Sequence, residues 1–166
     1  GRVRARQENR RHDNRIHGDE SMVREIESTE LNDLLALYTH LHEKAVPEMS
    51  EHLAQTWAAI LRDRNHHIIV NIVDGKLVSS CVCVIIPNLT RGIRPYALIE
   101  NAVTHPEHRG MGHATACLDF ARNIAIDAHC YKIMLLTGSR DAATLRFYEH
   151  AGYNSTEKTA FIQRLE

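Results

Sequence analysis

Apolar positions change their period several times along the chain, and each change marks an element. Met22 to Ile26 reads as a short strand. From Ser28, a suitable N-cap, residues Leu31, Leu34, Leu35, Tyr38 and Leu41 recur at helical spacing, which predicts a helix from Ser28 to about Glu43. A second helix fits Ser50 to Arg62. The apolar run Ile68 to Val73 meets Lys76 to Ile86 through Asp74-Gly75, a two-residue hairpin signal. Pro87 to Pro95 is rich in turn residues, and Tyr96 to Val103 is again a strand. From Gly112 to Ala128 a helix places Ala114, Leu118, Ala121, Ala125 and Ala128 on one small-residue face suited to close packing on a sheet. Tyr131 to Thr137 follows as a strand, Ala142 to His150 as a helix with Gly152 at its C′ position, and Thr159 to Leu165 as a closing strand. The order is β α α β β β α β α β, with no internal repeat, and implies an α/β fold.

Length and composition fit one soluble domain over residues 21–166, since the 166 residues are 43% apolar and 25% charged. Residues 1–20 differ. Arg2, Arg4, Arg6, Arg10, Arg11 and Arg15 stand among polar neighbours with almost nothing to enter a core, the pattern of a disordered basic tail or a non-native extension. The arm has no aromatic residue for base stacking and is diluted by Glu8, Asp13, Asp19 and Glu20, so nucleic acid is not the expected partner. A formal net charge of −1 selects neither nucleic acid nor a membrane surface. No apolar run approaches the roughly 18 residues of a membrane span. Cys81 and Cys83 share one face of a strand and cannot easily bridge each other, so the four cysteines read as reduced thiols of a cytoplasmic protein.

The chemistry concentrates where the strand ending at Val103 runs through Thr104-His105-Pro106-Glu107-His108 into Arg109-Gly110-Met111-Gly112-His113-Ala114 and a helix. Glycines let backbone approach a bulky anion, Arg109 adds charge, and N–H groups at the helix start carry the positive end of its dipole. A phosphorylated ligand is expected. No Lys-Ser/Thr follows Gly112, against a nucleoside-triphosphate P-loop, and the third glycine of a dinucleotide fingerprint is missing. His105, His108 and His113 gather here, but a turn carries them and only Glu107 joins, so no metal is expected.

Arg109-Gly110-Met111-Gly112-His113-Ala114 resembles the Arg/Gln-x-x-Gly-x-Gly/Ala signature of the GCN5-related N-acetyltransferase (GNAT) superfamily, and Phe147-Tyr148-Glu149-His150-Ala151-Gly152-Tyr153 resembles its second landmark. The resemblance runs from about Tyr96 to the C-terminus. Asp141 departs from it, where many members carry asparagine. The resemblance implies a mixed central sheet with two splayed parallel strands flanked by helices, and acetyl-CoA as acyl donor. It places the donor's pyrophosphate on Arg109, Gly110, Met111, Gly112, His113 and Ala114, and its thioester by Asn101, Ala102 and Val103. A homodimer through C-terminal strands is also implied.

Acetyl transfer to an amine needs a base for the amine, donors for the oxyanion and an acid for the departing thiolate. The family places the phenol of Tyr148 beside the donor sulfur. A phenol of pKa about 10 can return a proton to a thiolate whose conjugate acid lies near about 8.5. Glu100 is a carboxylate inside an apolar strand, and Ile99-Glu100-Asn101-Ala102-Val103 is similar to the base-bearing strand of the branch acting on amino-sugar phosphates. As a partly buried group it would be the general base. Cys117 and Cys130 have no histidine placed to activate them, so direct attack in a ternary complex is expected over an acyl-enzyme. The acceptor is then a primary amine of a small molecule, with Arg91 and Arg94 placed to meet an anionic one. The competing class is a non-catalytic acyl-CoA-binding or regulatory module.

Overall fold

Five strands form one sheet in the order β1-β2-β3-β4-β5 in the computed structural model, which describes residues 21–166. The basic arm of residues 1–20 lies outside the described residues. The strands are β1 (Ser21–Glu25), β2 (His66–Val73), β3 (Lys76–Ile86), β4 (Tyr96–Thr104) and β5 (Ile133–Leu135). The first three pairings are antiparallel and β4 pairs with β5 in parallel. The Asp74-Gly75 hairpin forms as expected, with both residues at positive φ.

Helices cover both faces. On one face α1 (Leu31–Tyr38) and α2 (Glu51–Arg62) close a small core in which Leu34, Tyr38 and Trp57 meet Ile68, Val70 and Val82. On the other, α3 (His113–Asp127) and α4 (Ala142–His150) bury the main core, with Cys117, Phe120, Ala121 and Ile124 against Ile69, Cys81, Cys83 and Ile99. Cys81 and Cys83 share that face, as strand parity requires, and all four cysteines are free thiols.

Three elements differ from the sequence expectation. Helix α1 stops at Tyr38 rather than near Glu43, and Ser28 does not cap it but opens a 3-10 turn, Ser28–Glu30. The Thr39 hydroxyl donates to the Ala36 carbonyl, a local bond that competes with further helix, and the His40 ring then packs edge-on to His105 at 4.8 Å. Strand β5 is cut to three residues, because its ladder to β4 ends at Ile99↔Leu135. Thr159 to Leu165 is not a strand. Phe161 and Leu165 are each 93% exposed, and alternating apolar residues make a strand only where a partner edge offers N–H and C=O groups.

Candidate functional site

Beyond Ile99↔Leu135 the parallel ladder ends although β4 continues to Thr104, so, among the described residues, 100–104 of β4 have no ladder partner on the β5 side. At the same level β4 bulges. Val82 pairs with Glu100 and Ser80 with Val103, so Asn101 and Ala102 together oppose the single residue Cys81. Asn101 adopts φ +50, a left-handed conformation inside a strand, which breaks the pleat and turns both Glu100 and Asn101 outward while Val103 returns to the core.

Register settles which face each group serves. Glu100 stands opposite Val82, whose side chain belongs to the core under α1 and α2, so Glu100 projects toward the two N-terminal helices. It is exposed, which corrects the expectation of a partly buried carboxylate: the apolar cluster under α1 and α2 reaches Val82 but includes no residue of β4. Tyr148, half-buried, lies on the opposite face against the main core, with its ring 5.1 Å from Phe147 and 6.3 Å from Tyr153. Burial pushes the Tyr148 phenol above its ordinary pKa, keeping it protonated.

Past Thr104 a 3-10 turn, Pro106–His108, leads into the basic turn. Arg109 is exposed and its Nε donates to the Thr104 carbonyl at 3.2 Å. Gly110 and Gly112 have φ +74 and +84, and no heavy atom lies within 4 Å of where a Cβ would stand on either. Met111 is exposed, whereas His113 and Ala114, the first helical residues, are half-buried. Ser50 caps α2 and Asp141 caps α4, but Gly112 brings no side chain to cap α3, and no carboxylate occupies its first turn. The start of α3 therefore keeps the positive end of its dipole uncompensated by the protein's own side chains, which suits an anion. Asp141 accepts from the Thr144 N–H at 3.1 Å and hydroxyl at 3.2 Å, a capping role that an asparagine fills equally.

The structure thus gathers Asn101, Ala102, Val103 and Glu100 at the bulge, Arg109 to Ala114 at the following turn, and Tyr148 on α4 behind the sheet. Three contributors escaped the sequence reading. Tyr38, at the end of α1, has its side chain beside Asn101, and burial pushes its phenol up to about 12. Asn71 and Ser79 lie fully buried beneath the turn. Their only signal in the sequence is a polar residue inside an apolar strand. Among the described residues no group of three or more His, Cys, Asp or Glu side chains is arranged to hold a metal ion, and no helix is long and apolar enough to cross a membrane.

Comparison with known proteins matches residues 31–153 to the model of the Acetyltransferase (GNAT) family. A glucosamine 6-phosphate N-acetyltransferase from Trypanosoma brucei brucei is 31% identical over 140 residues, covering 82% of this chain and 90% of that protein. Among solved structures, a protein from Agrobacterium tumefaciens str. C58 classed as an acetyltransferase superposes with a TM-score of 0.78 at 37% identity, covering 86% of this chain and 99% of that one. A glucosamine-6-phosphate N-acetyltransferase from Arabidopsis thaliana has a TM-score of 0.77 over 88% of this chain and 99% of its own, but at 19% identity it speaks for the fold alone.

Proposed function

This chain belongs to the GNAT acetyltransferase family and is an acyltransferase; on that premise we propose that it uses acetyl-CoA to acetylate the primary amine of a small, amino-sugar-like molecule by direct attack in a ternary complex. The observation that carries the reading is the continuity of the β4 bulge, the end of β4 left unpaired by β5 and the uncapped start of α3, all on one strand-turn-helix path.

Acetyl-CoA would bring an activated acyl thioester at one end, with a pyrophosphate and a ribose phosphate toward the other. Arg109 and the backbone of residues 110–114 are the groups suited to its pyrophosphate, and the bulged backbone of Asn101 to Val103 is suited to its acyl end. Glu100, on the face of α1 and α2, removes a proton from the acceptor ammonium. Tyr148, on the face of α3 and α4, supplies a proton to the leaving sulfur. One group on each face of the sheet matches what direct transfer needs, because base and acid then approach the reacting centre from opposite sides.

An amino-sugar phosphate as acceptor is supported by the Trypanosoma relative's activity, which is that protein's own, and by Arg91 and Arg94 in the loop before β4. Arg94 already donates to the His129 and Cys130 carbonyls, leaving Arg91 as the better candidate for an acceptor anion. Four free thiols support a reducing, cytoplasmic setting. The three-residue β5 and the exposed Phe161, Ile162 and Leu165 support a homodimer in which residues 154–166 pair across two copies.

Calorimetric titration of acetyl-CoA into the wild type and Arg109→Ala tests the donor, and thiol release over a panel of amines including glucosamine 6-phosphate tests the acceptor. Saturable binding weakened by the substitution, with turnover on one amine, is expected. Binding without turnover on any amine would favour a non-catalytic acyl-CoA-binding module, and no binding at millimolar donor would end the reading. Sedimentation equilibrium reports the dimer.

A further inference from the structure

Two fully buried polar side chains face each other across β2 and β3, and between them they touch both flanks of the basic turn. Asn71 and Ser79 are register partners, each 0% exposed, on the face that α3 covers. The Asn71 amide stands 3.2 Å from His113 Nδ1, at the first residue of α3, while its Oδ1 accepts from the Ser21 hydroxyl at 2.8 Å. With its oxygen accepting from Ser21, the amide nitrogen is the group that faces the ring. One helical turn on, the buried Cys117 thiol lies beside Ser79. Ser79 Oγ also donates to the Val103 carbonyl at 3.1 Å and lies 2.8 Å from Thr104 Oγ1, the last residues of β4 before the turn.

Positions 113 and 117 of α3 are thus seated on one cross-strand pair, and the same pair holds the strand end that feeds the turn. A β-bulge between Asn71 and Ile72 marks the register shift beside the amide. Polar groups buried so deeply stabilise little over apolar residues of equal shape, and here no buried side-chain polar atom lacks a partner among the described residues. Such a pair is better explained by geometric precision than by stability.

We propose that Asn71 and Ser79 are the positioning residues of the donor-binding turn: together they set the distance between the end of β4 and the start of α3, and so the spacing of the N–H groups offered to the donor's pyrophosphate. This rests on the reading of that turn as the donor site. Neither residue touches the donor; both act through His113, Cys117, Val103 and Thr104.

The test is calorimetric titration of coenzyme A into wild type, Asn71→Leu, Ser79→Ala and Arg109→Ala, with thermal melts and 1H–15N spectra of each. Asn71→Leu and Ser79→Ala should each weaken coenzyme A about tenfold, move the amide resonances of residues 109–114, and leave Tm within a few degrees of wild type. Unchanged affinity in both, beside a loss in Arg109→Ala, would overturn the inference alone. Affinity indifferent to Arg109→Ala would remove the donor-site reading and this inference with it. If Asn71→Leu does not fold, Ser21→Ala removes only the half-buried hydroxyl that holds the amide oxygen; it should weaken coenzyme A about threefold, and no change there, with Ser79→Ala also unaffected, is equally fatal.

Discussion

Tyr38 of α1 lies beside Asn101 of β4, and Asn101 is the residue whose φ of +50 sits in the bulge. Asparagine tolerates the left-handed region better than most residues, but inside a strand it breaks the regular ladder, so the bulge depends on what packs beside it. The N-terminal helices are thereby tied to the backbone assigned to the acyl group.

Tyr38→Phe should lower turnover severalfold while changing stability by no more than about 1 kcal/mol, since the neighbouring Asn101 is exposed and water can take the hydroxyl's place beside it. Steady-state kinetics beside a denaturant melt separates the two effects. Unaltered kcat would show that the bulge holds its shape without α1.

Tyr148→Phe should reduce kcat about 10²-fold, the usual worth of a general acid, with donor affinity intact. Because burial raises the Tyr148 pKa, the protonated acid persists as pH climbs, and its alkaline limb should lie above pH ~10. A limb below that value would assign the proton to another group. Glu100→Gln should cost kcat by a similar factor through loss of the base; activity retained in that variant would leave water as the acceptor's base.

Gly112→Ala places a methyl where no protein atom stands within 4 Å, so its penalty is purely conformational, about 1 kcal/mol or roughly 2–4 °C in Tm. The same methyl points into space that an anion would use. Coenzyme A affinity should therefore fall by more than the loss of stability alone explains, which calorimetry at a temperature well below the melt will read.

Arg24 grips Glu30 with two hydrogen bonds at 2.8 and 2.6 Å, and these hold the Glu30 carboxyl below its ordinary pKa. A depressed carboxylate contributes stability above its unfolded value of about 4.3 and loses it as pH falls through the folded value. Arg24→Gln should lower Tm at pH 7 and match wild type once the medium is acidic enough to protonate Glu30 in both states. A Tm difference that persists at that acidity would point to lost packing of the arginine stem instead.

Local chemistry was legible where neighbours in sequence supply it. Asp74-Gly75 dictated the β2–β3 hairpin, Ser50 the start of α2, and Ala142 to His150 with Gly152 the whole of α4. The end of α1 was not legible, because Leu41 continues the helical period that Thr39 interrupts through its own backbone bond. Nor was the exposure of Glu100, since alternation along β4 gives its face but not whether the helices on that face cover the strand there.

By itself the sequence determined the elements that a few consecutive residues encode, together with the glycine-bearing turn, the landmark around Tyr148 and through them the family. Only the tertiary structure decided which strand edges pair and which stay open, so that β5 shrank to three residues and Thr159 to Leu165 formed no strand. It alone brought Tyr38 to Asn101 and seated His113 and Cys117 on Asn71 and Ser79. The physical reason is that turns, caps and helical faces depend on torsions and neighbours within a few residues. Ladder hydrogen bonds and buried polar pairs depend instead on partners that are distant in sequence and meet only when the sheet assembles.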